Sequence, residues 1–542
     1  MRGADHIART LEQAGARILF ALSGNHIMPI FDAVLQTDIK IVHARHEAAA
    51  VHMADAWARL TGECGFALVT GGPGHSNAVS ALYTARAAEA PLVLLSGHAA
   101  VGELGRGAFQ EMAQAQVAKP LTKASWMVTS ARELHGDLLR AVDIATSGRP
   151  GPVHLSLPFD LLEAQSHEDA VAAPTVSWRR PLSSLSEDAL VQALSSAARP
   201  VVLAGPLLCQ PCAGDLLKRL ATALEVPAIG MESPRGLNDP SLGAFGEVLG
   251  QADLVVLLGK PHDFTLRFAE PPFVNADCKF VVIDPDVDMI DRVIREKGDR
   301  VLLSVVADVR ASAERLCAGA NPAGRHAGWR QEVMEAVAFR PPEWKTIASL
   351  PGEKLHAVEL CRAVQPTIES RPRAVLVCDG GEIGQWAQSL VRCPDRIING
   401  VAGSIGAAVP FAIGVAAAEP GRPVVAISGD GAFGFHMAEF DTAVRYGLRF
   451  VAVVGNDAAW NAEHQIQLRA YGPQRAHGCQ LLPTRYDEVV RALGGHGELV
   501  ASVDELAPAL ERAFASGKPA CVNVLVRQVA APMVRRSMPS RS

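Results

Sequence analysis

The 542-residue chain contains no run of about 18 uninterrupted apolar residues, the length that a membrane-crossing helix needs. Its first residues, Met1 to His6, enter an amphipathic helical pattern at once and lack the basic-then-apolar layout of a signal peptide. The expectation is a cytoplasmic protein with no membrane partner. Charge of one sign is also lacking. Lys and Arg number 51 and Asp and Glu 57, a net charge of −6 with no long basic run, so nucleic acid is not an expected partner. Ten cysteines are scattered, and the single close pair, Cys209-Gln210-Pro211-Cys212, has no second pair at metal-ligand spacing. Buried thiols of a reducing compartment are the reading. In the middle third of the chain no Gly-x-Gly-x-x-Gly fingerprint follows a strand pattern.

What is present is apolar material, 49% of residues against 20% charged, which excludes a disordered chain or a coiled-coil rod. Short apolar runs recur, each followed by Gly or Pro and then a helical pattern. They are Ile18–Leu22, Ile39–His43, Phe66–Thr70, Leu92–Ser96 and Val153–Leu157, then Val201–Ala204, Val226–Gly230, Leu254–Leu258 and Phe280–Ile283, then Ala374–Cys378, Val424–Ser428, Phe450–Val454 and Val522–Val526. Such runs read as strands buried on both faces, and their alternation with helices implies parallel sheets of βαβ units. Two polar stretches, Glu163–Asp188 and Ala318–Glu353, read as connectors. The fold class is therefore α/β, with three doubly wound domains over residues 1–165, 188–320 and 353–530.

The strand Val424–Ser428 runs into Gly429-Asp430-Gly431-Ala432. Glycines at a strand's carboxyl end let the backbone approach a phosphate, and the next helix start favours an anion. An aspartate there would repel a phosphate unless a divalent cation lay between them. After one more helix and the strand Phe450–Val454 comes Gly455-Asn456-Asp457-Ala458-Ala459, with Asp457 placed 457 − 430 = 27 residues after Asp430. One helix and one strand fit in that interval, so two oxygen ligands can converge on one cation.

This layout, with Glu47 in Val42-His43-Ala44-Arg45-His46-Glu47 and the turn Gly403-Ser404-Ile405-Gly406, resembles the thiamin-diphosphate enzymes of the acetolactate synthase-like family over nearly the whole chain. The resemblance implies that Mg²⁺ is held by Asp430, Asp457 and the carbonyl of Ala459. The family usually carries Asn-Asn where Asn456-Asp457 stands, which leaves open which of the two is the ligand. It further implies that Glu47 sits beside N1′ of the cofactor's pyrimidine and that Ile405 props the bent cofactor. The Gly403 carbonyl would accept the 4′-amino proton, while Gly381, Glu382, Gly429, Gly431 and Ala432 would lie at the diphosphate. His26, His75, Gln110, Glu463 and His464 would line the substrate pocket, His26, His75, Glu463 and His464 as proton relays. The implied substrate is a 2-oxo acid or a 2-hydroxy ketone, and the implied unit is a homodimer or homotetramer with active sites between subunits. Relatives hold FAD, ADP or nothing in the middle domain, so FAD stays undecided. The features also resemble benzaldehyde lyase and the group of 2-hydroxyacyl-CoA lyase and oxalyl-CoA decarboxylase. That group would need a basic C-terminal lid, for which only Arg535, Arg536 and Arg541 offer charge. A non-catalytic homologue is the reading from another class.

Overall fold

The computed structural model describes residues 1–165, 180–319 and 325–536. Part of each connector and the end of the basic tail, Arg541 included, lie outside the described residues. Three parallel sheets carry the chain. The first holds β1 (Ile18–Ala21), β2 (Lys40–His43), β3 (Gly65–Val69), β4 (Leu92–His98), β5 (Ala124–Met127) and β6 (Pro152–Pro158), in the order β2-β1-β3-β4-β6-β5. The second holds β7 (Pro200–Ala204), β8 (Ala228–Gly230), β9 (Leu254–Leu258), β10 (Lys279–Asp284) and β11 (Val301–Val306), in the order β11-β10-β9-β7-β8. The third holds β12 (Val375–Cys378), β13 (Asp395–Ile398), β14 (Val424–Gly429), β15 (Val451–Asn456), β16 (His496–Val500) and β17 (Ala520–Leu525), in the order β13-β12-β14-β15-β17-β16.

The first and third sheets share one strand order. In each, the chain direction of travel reverses between the first and third strands of the domain, and a crevice opens at that point beyond the carboxyl ends. Ser23–His26 and Thr70–Gly74 flank that crevice in the first domain. Gly380-Gly381 and Gly429-Asp430 flank it in the third.

Thirteen strands stand where apolar runs were read. The four that were not read, β5, β11, β13 and β16, are all at sheet edges. An edge strand buries less of its surface, so it needs no continuous apolar run; β11 alternates half-buried and exposed residues along its length. The stretch Ala318–Glu353, expected to be a connector, contains the helix Ala327–Ala338. Trp329, Val333 and Ala336 of that helix enter the core of the central domain.

The first and third domains meet through the helices Glu47–Thr61 and Ala408–Ala418, which share one hydrophobic core. The contact is close because small residues line it. A Cβ built on Gly414 would lie 2.4 Å from the Met53 carbonyl oxygen. The buried Arg59 guanidinium pairs with Asp55 and donates to the Ile398 carbonyl at 2.7 Å, tying the same helix to the third sheet. Arg149 joins the first domain to the second by pairing with both Glu89 and Asp284. Among the described residues no helix is long and apolar enough to cross a membrane.

Gly414→Val would drive two methyl groups into the Met53 backbone. The expected outcome is a loss of about 1–3 kcal/mol of stability, read as a lower denaturation midpoint with unchanged far-ultraviolet dichroism.

Candidate active site

A cleft of about 350 Å³ opens at the crevice of the third sheet. Its floor is built around a residue the sequence reading passed over, Asp379. This carboxylate is 1% exposed. Its Oδ1 accepts the N–H groups of Gly380 and Gly406 at 2.8 and 2.9 Å, and its Oδ2 accepts that of Ala408 at 3.1 Å. Burial raises its pKa, and the backbone donors work against that shift. One side chain thereby gathers the end of β12, the turn Gly403–Gly406 and the start of the helix Ala408–Ala418. Gly403 and Gly406 take positive φ, 69° and 92°, and a Cβ on Gly406 would lie 2.6 Å from that of Phe435.

Gly381, Glu382, Gly403, Ile405, Gly429, Asp430, Gly431, Ala432, Asp457, Ala459 and Glu463 all line this cleft. Asp430 opens the helix Asp430–His436, and Asp457 follows β15. The two carboxyl groups are buried within hydrogen-bonding reach of one another. Burial, and for Asp457 next the charge of Asp430, push both pKa values well up. The Oδ2 atom of Asp430 is buried without a hydrogen-bond partner. Asn456 faces elsewhere. Its amide donates to the Thr484 carbonyl at 2.9 Å and to Asn523 Oδ1 at 3.1 Å.

Two buried carboxylates with an unpartnered oxygen fit a hard divalent cation, which takes oxygen ligands. Among the described residues no cluster of three or more His, Cys, Asp or Glu could hold a metal. The remaining ligands of such a cation must be backbone oxygens, water and the bound molecule. A diphosphate also fits the cleft, because the helices starting at Gly381 and Asp430 present backbone N–H groups to it.

Glu47 belongs to a different surface. It opens the helix Glu47–Thr61, is 8% exposed, and its Oε2 accepts from Asn77 Nδ2 at 3.1 Å. A Cβ on Gly74 would lie 3.6 Å from Glu47 Oε1 and 2.7 Å from the Thr70 methyl, so the absence of a side chain at Gly74 lets the turn pack on Thr70 beside Glu47. Thr70 Oγ1 also meets His26 Nδ1 at 3.3 Å. His26 stacks on Phe109, whose ring is 65% exposed, and burial lowers the His26 pKa. Gln110 follows with φ of 58° and packs on Gly72. None of these residues lines the cleft of the third domain. The expected site residues thus fall into two separate groups, one on the first domain and one in the cleft of the third.

His75 is a correction. Expected as a proton relay, it is fully buried. Its Nδ1 meets Ser96 Oγ at 2.9 Å, its ring lies 4.4 Å from that of His154, and burial lowers its pKa to about 4. An uncharged histidine so enclosed packs the first domain and joins neither group. The central domain also reaches this site, where Ser233, Pro234 and Arg235 form one wall of the cleft. A second and larger cavity, about 850 Å³, lies beyond the carboxyl ends of β7, β9 and β10 and is lined by Arg86, Lys123, Arg149, Lys260, Asp286 and Arg292 among others. Cys209 and Cys212 are free thiols, with Sγ atoms toward the Gly205 carbonyl and Gln210 Oε1.

Three parallel-sheet domains, with glycine turns and a carboxylate pair at the crevice of the last, define a cofactor-dependent α/β enzyme class, and comparison with known proteins gives that class a family. The chain belongs to the thiamine pyrophosphate enzymes: the N-terminal TPP-binding domain of that family matches residues 1–117, the central domain 188–316 and the C-terminal TPP-binding domain 379–524. It is 33% identical over 539 residues to the acetolactate synthase large subunit IlvG of Mycobacterium tuberculosis, covering 96% of this chain and 94% of that one. To the 2-hydroxyacyl-CoA lyase 2 of Bos taurus it is 31% identical, covering 97% and 90%, and to that of Homo sapiens 30%, covering 97% and 90%.

The two neighbours Asn456 and Asp457 separate experimentally. Asp457→Ala is expected to abolish Mg²⁺-dependent binding of thiamin diphosphate, read by calorimetry, with the fold retained. Asn456→Ala is expected to lower stability by about 1–3 kcal/mol through unpaired buried groups, with binding kept in the folded fraction.

Proposed function

We propose that the protein is a thiamin-diphosphate- and Mg²⁺-dependent enzyme that forms or breaks a C–C bond beside a carbonyl, with a 2-oxo acid or 2-hydroxy ketone as donor. The observation that carries this reading is the buried Asp430–Asp457 pair with an unpartnered oxygen on the third domain, together with Glu47 held by Asn77 at a helix start on the first. A cation between Asp430, Asp457 and the Ala459 carbonyl would neutralise the carboxylates and hold a diphosphate against the helix starts. When bound, the cofactor supplies the carbon nucleophile and the sink for the resulting charge.

Glu47 would share a proton with the pyrimidine N1′ through Oε1, oriented by Asn77 on its other oxygen. Ile405 would support the ring system, and the Gly403 carbonyl would accept from the amino group. His26, stacked on Phe109, and Gln110 would face the substrate's oxygen from the first domain, with Glu463 on the opposite rim. Because Glu47 and the carboxylate pair lie on separate surfaces of one chain, a homodimer that sets the first domain of one copy against the third of its partner is the smallest unit that completes a site. An acetolactate synthase-like label suits the chain best. A 2-hydroxyacyl-CoA lyase is the second reading, supported by the relatives of that name at 30–31% identity.

The test is a panel of pyruvate, a benzoin-type ketone and a 2-hydroxyacyl-CoA, scored by product mass with cofactor and Mg²⁺ present. Turnover of at least one is expected, with Glu47→Gln lowering it by about 10²–10⁴-fold while cofactor affinity is kept. No turnover and no cofactor binding would overturn the reading in favour of a non-catalytic homologue. For the cavity of about 850 Å³, the position beyond parallel strand ends and a lining that carries both basic and acidic side chains support a nucleotide, FAD or ADP. Heat-denatured protein is then expected to release one nucleotide per chain, identified by its absorbance and mass; release of none after preparation with both supplied would leave the cavity without that role.

A further inference from the structure

The cleft of the third domain has an unbalanced set of charges. Four carboxyl groups line it, those of Glu382, Asp430, Asp457 and Glu463, and one guanidinium, that of Arg235. No other Lys, Arg or His lines it among the described residues. Even a divalent cation leaves such a cleft short of positive charge for a diphosphate. Glu382 is the sharpest part of the problem. It is 7% exposed, it sits in the first turn of the ten-residue helix Gly381–Leu390, and its Oε2 has no hydrogen-bond partner. Near it lie Arg235, Arg469, Glu463 and the Ala531 N–H. A buried carboxylate at a helix start that should receive phosphate would oppose the ligand.

Arg235 resolves the conflict. It comes from the central domain, in the loop after β8, where its own N–H donates to Ser233 Oγ at 3.2 Å. The preceding Pro234 lies against Gly403, within 3.5 Å of a Cβ built there. The guanidinium is 41% exposed and approaches Glu382 Oε2 at 3.6 Å, too long for a hydrogen bond. Both partners therefore keep unused hydrogen-bonding capacity in the cleft. We propose that Arg235 is the residue through which the central domain binds the terminal phosphate of the cofactor's diphosphate, and that Glu382 is the positioning residue that holds the guanidinium at the cleft until the phosphate takes its place. The inference rests on the function proposed above, since it needs a diphosphate in this cleft.

Calorimetric titration of the full chain with thiamin diphosphate, at saturating Mg²⁺, tests it without turnover. Arg235→Gln is expected to weaken binding on the order of tenfold, the size of one lost charge-assisted contact, and to flatten the dependence of affinity on salt. Arg235→Lys is expected to recover part of the loss. Glu382→Gln is expected to tighten binding, because no carboxylate then competes for the guanidinium. Thermal unfolding of each variant without ligand checks the fold. If the unaltered protein binds and Arg235→Gln binds within about twofold of it at every salt concentration, less than half a tenfold step, Arg235 is a counter-ion of Glu382 alone and the inference is overturned. If the unaltered protein does not bind at all, the functional reading falls and this inference with it.

Discussion

The candidate site depends on one buried carboxylate. Asp379 receives three backbone N–H groups, one from the neighbouring Gly380 and two from the stretch Gly406–Ala408. Bonds of this kind to a charged acceptor contribute about 1.5–3 kcal/mol each. Without them the donors would be buried and unsatisfied. The turn Gly403–Gly406, with its two left-handed glycines, has no regular ladder to hold it and takes its place from these bonds. Ile405 and the Gly403 carbonyl are positioned by that turn, so the wall of the cleft derives from Asp379 although it is absent from the residues that line the cleft.

A second constraint is the repeated sheet order of the first and third domains. The same order places a crevice at the same point of each, and the two crevices are used differently. In the first domain Gly24 and Gly74 pack closely on Thr70, and Gly74 lies beside Glu47 Oε1. In the third the crevice is lined by paired carboxylates and helix starts. The helices Glu47–Thr61 and Ala408–Ala418 lock the two domains together through small residues and the buried Arg59–Asp55 pair. Within one chain this leaves Glu47 outside the cleft that holds the carboxylate pair. The central domain adds more than support, since Arg235 brings the one cation to a cleft of carboxylates.

Much of the fold was legible because strands buried on both faces must be continuously apolar. The interior strands were all found on that ground, and the four missed strands were edges, where burial is partial. The helix Ala327–Ala338 was missed because its sequence between proline-rich stretches resembled a connector, and only its packing of Trp329 and Val333 declares it. His75 shows the converse failure. A histidine after a Gly-Pro-Gly turn reads as chemistry, but the side chain turns inward to Ser96 and His154. Asp379 carried no signal that separates it from any acid at a strand end, because its role lies in receiving the N–H groups of Gly406 and Ala408, 27 and 29 residues further on.

By itself the sequence determined the three parallel-sheet domains and part of the lining that the third domain gives the cleft, because burial periodicity and short strand-to-helix spacing are local properties. The interval from Asp430 to Asp457 is one such property, since a single helix and strand return the chain to the same edge. Only the tertiary structure decided that Asp457 and not Asn456 faces the cleft, that His75 packs a core, and that Arg235 and Asp379 belong to the site. Each of these depends on side-chain direction or on contacts more than a hundred residues or several elements apart, and neither is encoded in spacing along the chain.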